Sequence, residues 1–450
     1  MTNQETICVF GLGYVGLTLA VSLANVGIRV HGLEVREEVL EKLANGESFF
    51  YEEGLDQEIK SAIRKKTFSF SQKISEIPFK PSVYIITVGT PLNENGEIRL
   101  DMIENSSREI STKLSDGDLV ILRSTVCLGT ARNVVVPILN ETGVDYRIAV
   151  CPERTLQGAA LKELHSIPQV IGSDDSQTLE RCALLFGMLT PTTIKVSSLE
   201  TAELIKLVDN TYRDVIFSFG NEVARLCDAA GINAYEVING GKLGYPRTNV
   251  SLPGLVGGPC LQKDPHILNL SALKFGLDQL EVTRSARKVN ERQPVEIVNF
   301  IGQAYRTKNR KDPETILVAG LTFKGFPQTD DLRGSMALNV LDALRKEFPK
   351  AKFYGYDPQL TQETIEQIPL NYSGDFEEDA KTMDLIVLTN NHPQFQRIDW
   401  SALFEKSIST LLVYDFWNNF NAFDQAEYSD RYIILGNHSA FLKHLKGISE

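Results

Sequence analysis

The sequence has few cysteines and no paired ones. Its 450 residues hold six, Cys8, Cys127, Cys151, Cys182, Cys227 and Cys260, with no CxxC pair and no spacing that suggests a zinc site or a disulfide framework, so a reduced, cytoplasmic chain is expected. No apolar run reaches the ~18 residues that a bilayer span needs. The opening MTNQETICVFGLG has neither the cationic segment nor the cleavage site of a signal peptide, and no membrane insertion is expected. Positive charge is the minority sign. With 46 Lys and Arg against 58 Asp and Glu, the formal net charge is −12, a field that repels polyanions and argues against nucleic acid as a partner while leaving room for a small anion in a local positive pocket. Short-period repeats and low-complexity segments are also missing. What remains is ordinary globular material, 42% hydrophobic and 23% charged with 32 Gly and 18 Pro, enough at about 150 residues per domain for roughly three folding units.

Short apolar runs alternate with stretches of helical spacing. Ile7 to Phe10 leads straight into Gly11-Leu12-Gly13-Tyr14-Val15-Gly16 and then LTLAVSLANVG, which stops at Gly27: a strand, a glycine turn and a helix. Further strands are expected at 28–33, 83–88, 119–122 and 146–150, separated by amphipathic stretches, and that alternation implies a parallel sheet. Leu199 to Ala230 lacks proline and predicts one long central helix. After the basic stretch Arg306 to Pro313, strand signals return at 315–319, 352–356 and 384–389, with a helix near 336–347. The fold class is therefore α/β, with two Rossmann-like, doubly wound parallel-sheet domains joined by a long central helix.

In a GxGxxG turn the first glycine permits the bend, the second lets backbone approach a pyrophosphate, and the third lets helix pack on strand, while the helix N-terminus favours the anion. Gly11, Gly13 and Gly16 fill these places, and Glu34, 18 residues beyond Gly16, stands where an acceptor for a ribose 2′-hydroxyl belongs. That acid favours NAD; Arg36 nearby can pair with a 2′-phosphate and leaves NADP open. Thr90, Thr125 and Glu153 each follow a strand end in VGTP, RSTV and CPER, and such ends face the ligand crevice of an open α/β sheet. A capping threonine or a surface glutamate fits the same positions. In Gly257-Gly258-Pro259-Cys260-Leu261-Gln262-Lys263-Asp264, two glycines let backbone crowd a ligand, the lysine can hold a thiolate and Asp264 can relay a proton. Taken alone, a cysteine after glycines is more often a small buried apolar residue. Lys206 and Asn210, four residues apart, share a helix face and can donate to a developing oxyanion. A solvated helix face carries such residues too, and Asp209 and Asp214 beside them fit that plainer reading.

Taken in order, GLGYVGL, VGTP, RSTV, CPER, AELIKLVDNTYR, GGPCLQKDP, and GLTFKG followed by TDDLRGS resemble the nucleotide-sugar dehydrogenase family, the UDP-glucose and UDP-N-acetylhexosamine 6-dehydrogenases, from about residue 5 to 340. The resemblance implies an N-terminal NAD-binding Rossmann domain (residues 1–198), a central helical dimerisation domain (199–305) and a C-terminal UDP-sugar-binding Rossmann-like domain (312–450). It implies a homodimer through the central domain, and a reaction that oxidises the sugar C6 alcohol twice, to a carboxylate, with two NAD and no metal. Cys260 resembles the nucleophile that takes the aldehyde as a thiohemiacetal and becomes a thioester after the second hydride transfer. Lys206 and Asn210 fall at oxyanion-stabilising positions, Asp264 where water is activated, Thr125 where it is positioned, and Glu153 at the acid that gives general-base help in thioester hydrolysis. Arg333 resembles an arginine near the cofactor, and Lys324 a lysine near the nucleotide sugar. Arg247, in YPRTN, sits where the acetamido-sugar branch has an arginine that reaches the substrate of the partner subunit.

Two departures bear on the substrate. UDP-glucose dehydrogenases continue the Pro-Glu strand end with Phe-Leu-Arg-Glu; here Arg154 follows Glu153, Gln157 replaces the second glutamate and Gly158 follows, which is similar to the acetamido-sugar enzymes. Against that, Lys263-Asp264 is closer to the UDP-glucose type, and Pro259 matches neither. With Arg154 and Arg247 both in substrate-facing segments, the expected activity is oxidation of UDP-ManNAc or UDP-GlcNAc to the uronic acid for a surface polysaccharide, with UDP-glucose as the alternative. A two-electron hydroxyacid dehydrogenase in which Cys260 is incidental is a further reading.

Overall fold

A computed structural model of the protein describes residues 5–307, 311–420 and 427–445; residues 308–310 of the expected basic linker, and parts of the expected C-terminal domain, lie outside them. The chain divides into two compact units, one of residues 1–210 and 266–279 and the other of residues 211–265 and 280–450.

The first unit is built on β1 (Thr6–Phe10), β2 (Arg29–Leu33), β3 (Phe68–Ser71), β4 (Val83–Ile86), β5 (Leu119–Leu122), β6 (Arg147–Val150), β7 (Gln169–Gly172) and β8 (Thr193–Val196). Their order in the sheet is β3-β2-β1-β4-β5-β6-β7-β8. The chain moves outward on one side of β1 and then on the other, so the sheet reverses direction between β1 and β4, and a ligand crevice is expected there. Side chains alternate across the pleat: Ile7 and Val9 enter one core with Leu17 and Ala20 of the first helix, while Cys8 and Phe10 enter the opposite core with Tyr84 and Ile86. One join departs from the expected parallel pattern, since β7 runs antiparallel to β6 with Val150 opposite Gly172.

The second unit holds β9 (Thr315–Ala319), β10 (Lys352–Tyr356), β11 (Asn371–Tyr372), β12 (Leu385–Leu388), β13 (Leu412–Asp415) and β14 (Tyr432–Ile434), in the order β11-β10-β9-β12-β13-β14 and parallel throughout. The same alternation sends Ile316 and Val318 to one face and Leu317 and Ala319 to the other. Among the described residues no helix is long and apolar enough to cross a membrane.

The central helix spans Leu199–Ala230, as predicted. Apolar residues such as Leu207 and Ala224 are buried as expected, but one stripe reverses the usual pattern. Glu203, Lys206, Asn210, Asp214 and Asn221, at helical spacing along one face, are all buried, whereas Val208, Tyr212, Phe219 and Leu226 are exposed. The solvated-face reading of Lys206, Asn210 and Asp214 is thereby corrected. Asp214 is fully buried because the guanidinium of Arg287 meets its Oδ1 at 2.6 Å and Asn290 donates to the same oxygen at 2.9 Å.

Near the end of this helix, the Asp228 carboxylate accepts the backbone N–H groups of Gly436 and His438, and the His438 ring stacks on Phe300 at 3.9 Å. Burial raises the Asp228 pKa to about 7 and lowers that of His438 to about 3. The folded carboxyl therefore takes up a proton at a higher pH than the unfolded one, so this group favours folding as pH falls from about 7 to about 4 and opposes it as pH rises. In chemical denaturation, wild type should gain stability over D228N across that window by up to about 1.4 kcal/mol per pH unit. A gap that does not change with pH would show that the carboxyl titrates normally.

Candidate active site

In the first unit the glycine turn has the predicted form. Gly11 has φ +88°, and a Cβ on Gly16 would lie 1.9 Å from the Gly11 carbonyl oxygen, so helix and turn meet as closely as backbone allows. A Cβ on Gly13 would meet nothing within 4 Å, and the first turn of the helix Tyr14–Asn25 carries no acidic residue. That open approach to a helix N-terminus suits a pyrophosphate. Glu34 closes the turn from β2. Its carboxylate accepts the Leu12 N–H (3.1 Å) and three bonds from Arg36, through the backbone N–H, Nε and Nη2. Burial works against the charge, but the Arg36 bonds outweigh it and hold the carboxyl below its ordinary range. Four donors fill a carboxylate, so a ribose hydroxyl reaching Glu34 would have to take the place of the Arg36 guanidinium, which is 43% exposed and lies over the Phe49 ring at 4.6 Å. The residues present thus fit a dinucleotide.

Strand ends beside the turn are tied together. Thr90 Oγ1 donates to the Thr125 carbonyl (2.5 Å), and Ser124 Oγ to that of Val88 (2.6 Å), which brings both predicted threonines into one corner. Glu153, after β6, is buried. Its Oε1 accepts the N–H groups of Arg154 and Thr155, and its Oε2 meets Arg123 Nη2 at 2.5 Å. Burial raises its pKa, but the charge of Arg123, the Thr155 N–H and the Lys206 ammonium together hold the carboxyl below its usual range. Glu153 and Lys206 therefore lie within electrostatic reach. Arg154 turns instead to Asp209 Oδ2 (3.2 Å) and the Pro168 carbonyl (2.7 Å). Three turns before Asp214 on the central helix, Glu203 accepts the N–H groups of Gly129 and Ala131 in the loop after Thr125, and burial raises its pKa to about 7.

In the second unit, Cys260 lies in a single helical turn, Gly258–Leu261, and its side chain is exposed while the other five cysteines are buried. Gly258 has φ +94°, its N–H bonds the Gly334 carbonyl (2.7 Å), and a Cβ there would strike the Phe323 ring at 2.5 Å. A Cβ on Gly257 would lie 2.4 Å from that same Gly334 oxygen. The cysteine loop is thus fastened to the segments that carry Lys324 and Arg333. Lys324 Nζ lies over Phe323 at 5.3 Å, and Arg333 pairs with Asp331 (2.8 Å). Lys263, which can hold a thiolate, bonds the buried Asp264 carboxylate through its ammonium (2.7 Å). Arg247 is exposed and lies over the Tyr245 ring at 4.9 Å. Arg287, which no sequence motif marks, donates to the carbonyls of Val256 (3.1 Å) and Leu261 (2.8 Å) and so clamps both ends of the cysteine loop.

A parallel sheet that reverses beside a glycine turn, with a fitted dinucleotide cradle, and a second α/β unit with an exposed thiol define a nucleotide-dependent dehydrogenase. Residues 5–190 match the NAD binding domain of the UDP-glucose/GDP-mannose dehydrogenase family, 200–292 its central domain and 317–422 its UDP binding domain. The UDP-N-acetyl-D-mannosamine dehydrogenase of Pyrococcus horikoshii is 31% identical over 416 residues, 91% of this chain and 94% of that protein. A solved structure of UDP-D-ManNAc dehydrogenase from Pyrococcus horikoshii superposes with a TM-score of 0.85 at 29% identity, over 96% of this chain and 100% of that one. A UDP-glucose dehydrogenase from Pyrobaculum islandicum does so with a TM-score of 0.82 at 26% identity, over 92% and 94%. The chain belongs to the UDP-glucose/GDP-mannose dehydrogenase family, as an NAD-dependent UDP-sugar dehydrogenase.

Gly258→Ala should tilt the cysteine loop, because both the positive φ and the Phe323 ring oppose a methyl group. Turnover is expected to fall about 10²-fold, the scale of an ångström-sized misplacement, with NAD affinity by fluorescence titration unchanged. Weakened NAD binding would mean the damage spreads beyond the loop.

Proposed function

We propose that this enzyme oxidises C6 of a UDP-N-acetylhexosamine, UDP-ManNAc ahead of UDP-GlcNAc, to the uronic acid through a covalent bond to Cys260. The observation that carries the reading is the exposure of this one thiol among five buried ones, on a loop fastened at Gly258 and clamped by Arg287. A cysteine used only for packing would be buried. NAD supplies the hydride acceptor at both oxidations. A base takes the alcohol proton as the first hydride leaves. The Cys260 thiolate then adds to the aldehyde carbon, and Lys206 and Asn210 donate to the oxygen that becomes an oxyanion. Loss of the second hydride and the hydroxyl proton leaves a thioester. Water, positioned by Thr125 and activated by Asp264 with Glu153, attacks its carbon; the C–S bond breaks, and the thiol and a carboxylate are released. Glu34, Thr90 and Arg333 are assigned to the cofactor, and Arg154, Arg247, Gly257 and Lys324 to the nucleotide sugar.

Relatives named for UDP-N-acetyl-D-mannosamine and the Glu153-Arg154 strand end support the acetamido sugar. The Lys263–Asp264 pair favours UDP-glucose as the second reading. Cofactor binding is assigned to residues 1–198, dimerisation to 199–305 and UDP binding to 312–450, in a cytoplasmic enzyme supplying polysaccharide synthesis. A panel of UDP-ManNAc, UDP-GlcNAc and UDP-glucose should give two NADH per sugar on the preferred substrate. C260S should lose turnover by at least about a thousandfold. One NADH with released aldehyde, or near-normal C260S rates, would replace the thioester route with a two-electron reaction.

The exposed stripe Val208, Tyr212, Phe219 and Leu226 is the surface we assign to a second copy of this chain, because a self-complementary apolar helix face suits a two-fold contact. Aspartates at Phe219 and Leu226 should give a folded monomer by light scattering and circular dichroism. A dimer that persists would place the contact elsewhere.

A further inference from the structure

Arg123 directly follows β5, and its side chain is 1% exposed. Nη1 donates to the Cys151 carbonyl (3.0 Å) and to Gln169 Oε1 (2.8 Å), Nη2 to Glu153 Oε2 (2.5 Å), and the guanidinium lies 5.4 Å from the centre of the Phe186 ring. Gln169 owes its place to the reversed strand. With Val150 opposite Gly172, the same antiparallel register carried past the ladder puts Gln169 opposite Glu153. Its Nε2 donates to the carbonyls of Pro152 and Val170, which turns its own carbonyl toward Arg123. A planar guanidinium, always charged, can serve these three acceptors at once. An ion pair buried for stability alone is a weak device, since apolar side chains of similar volume often do as well. A charged pair at this strand end therefore points to a need for the charge itself.

We propose that Arg123 is a positioning residue that keeps Glu153 ionised and in one rotamer, ready to take the proton of the water that attacks the thioester. The inference rests on the reading above that Glu153 helps hydrolysis. In that step the water oxygen bonds the acyl carbon, the C–S bond breaks, and the water proton passes to Glu153 Oε2 and then to solvent. The charged groups around Glu153 are Arg123 from the segment after β5, Lys206 from the central helix and the neighbouring Arg154. Asp209 pairs with Arg154, and Glu163 accepts the Leu156 N–H. Removing the Arg123 charge should make Glu153 easier to protonate and narrow the active range from the acid side.

The test follows turnover of the best UDP-sugar by the full-length enzyme from about pH 5 to 9, the range over which a carboxylate freed from its cation titrates. In R123Q the acid limb of kcat should move up by about one pH unit, with kcat falling more than KM changes, and R123K should return the limb toward wild type. R123Q leaves a buried carboxylate without its cation and can fail to fold. The double variant R123Q/E153Q removes that charge and should fold, with the acid limb abolished. An R123Q limb that overlays wild type, or a wild-type limb in the double variant, overturns the inference. E153Q at wild-type rates across the range overturns instead the role of Glu153 in hydrolysis.

Discussion

Loops that leave a buried parallel sheet carry N–H and C=O groups that no strand pairs, and each one left unsatisfied costs about 1–3 kcal/mol. Both units meet this constraint with buried charged side chains from distant parts of the chain. Arg287 takes the Val256 and Leu261 carbonyls, Glu203 the N–H groups of Gly129 and Ala131, Glu52 those of Gly158 and Leu161, and Glu34 that of Leu12. Asp357 does the same for Thr322 in the second unit. Breaking one buried ion pair costs about 3–5 kcal/mol, a large share of the 5–15 kcal/mol by which a protein is usually stable. The segment after Thr125 and the loop that carries Cys260 are therefore tied to side chains from distant parts of the chain.

Local signals explain what was legible in the sequence. Runs such as TICVF, LVIL and TILVA need no partner to be read as strands, and the glycine turn identifies itself because Gly16 admits no Cβ. The long helix was legible from its spacing and lack of proline. Its orientation was not, because charged residues on a helix ordinarily face water, and the partners that let Asp214 be buried, Arg287 and Asn290, are 73 and 76 residues away. A stripe of Glu203, Lys206, Asn210 and Asp214 opposite Val208, Tyr212, Phe219 and Leu226 was the available sign, since an apolar stripe that long implies a covered face and turns the polar one inward. The motifs carry the candidate site residues, but the resemblance names residues and not their partners, such as the Asp264 carboxylate bonded by Lys263 and the Arg36 guanidinium on Glu34.

The antiparallel join between β6 and β7 shows how topology and chemistry are coupled. A parallel strand there would place its first residue, Gln169, at the opposite end of β6. Reversal instead brings the neutral amide of Gln169 to Arg123, so that the guanidinium is held by one anion, one amide and one carbonyl. A second carboxylate in place of Gln169 would compete with Glu153 for the same cation. The neutral partner leaves the charge of Arg123 directed at Glu153.

Substrate choice is decided at a finer level than the fold. Structures named for UDP-D-ManNAc and for UDP-glucose superpose on this chain almost equally well, at TM-scores of 0.85 and 0.82, so selection between an acetamido group and a hydroxyl lies in side chains and loop shape. Arg154 illustrates the distinction. Its Nη1 and Nη2 are committed to Asp209 and the Pro168 carbonyl, and a direct bond to the sugar would have to break contacts that fix the loop after Glu153. The path of residues 154–158 is fixed in turn by Glu52 and Glu163, which accept the N–H groups of Gly158 and Leu156. Exchanging a single arginine would leave most of this loop's shape in place, because it is held at several points along its length.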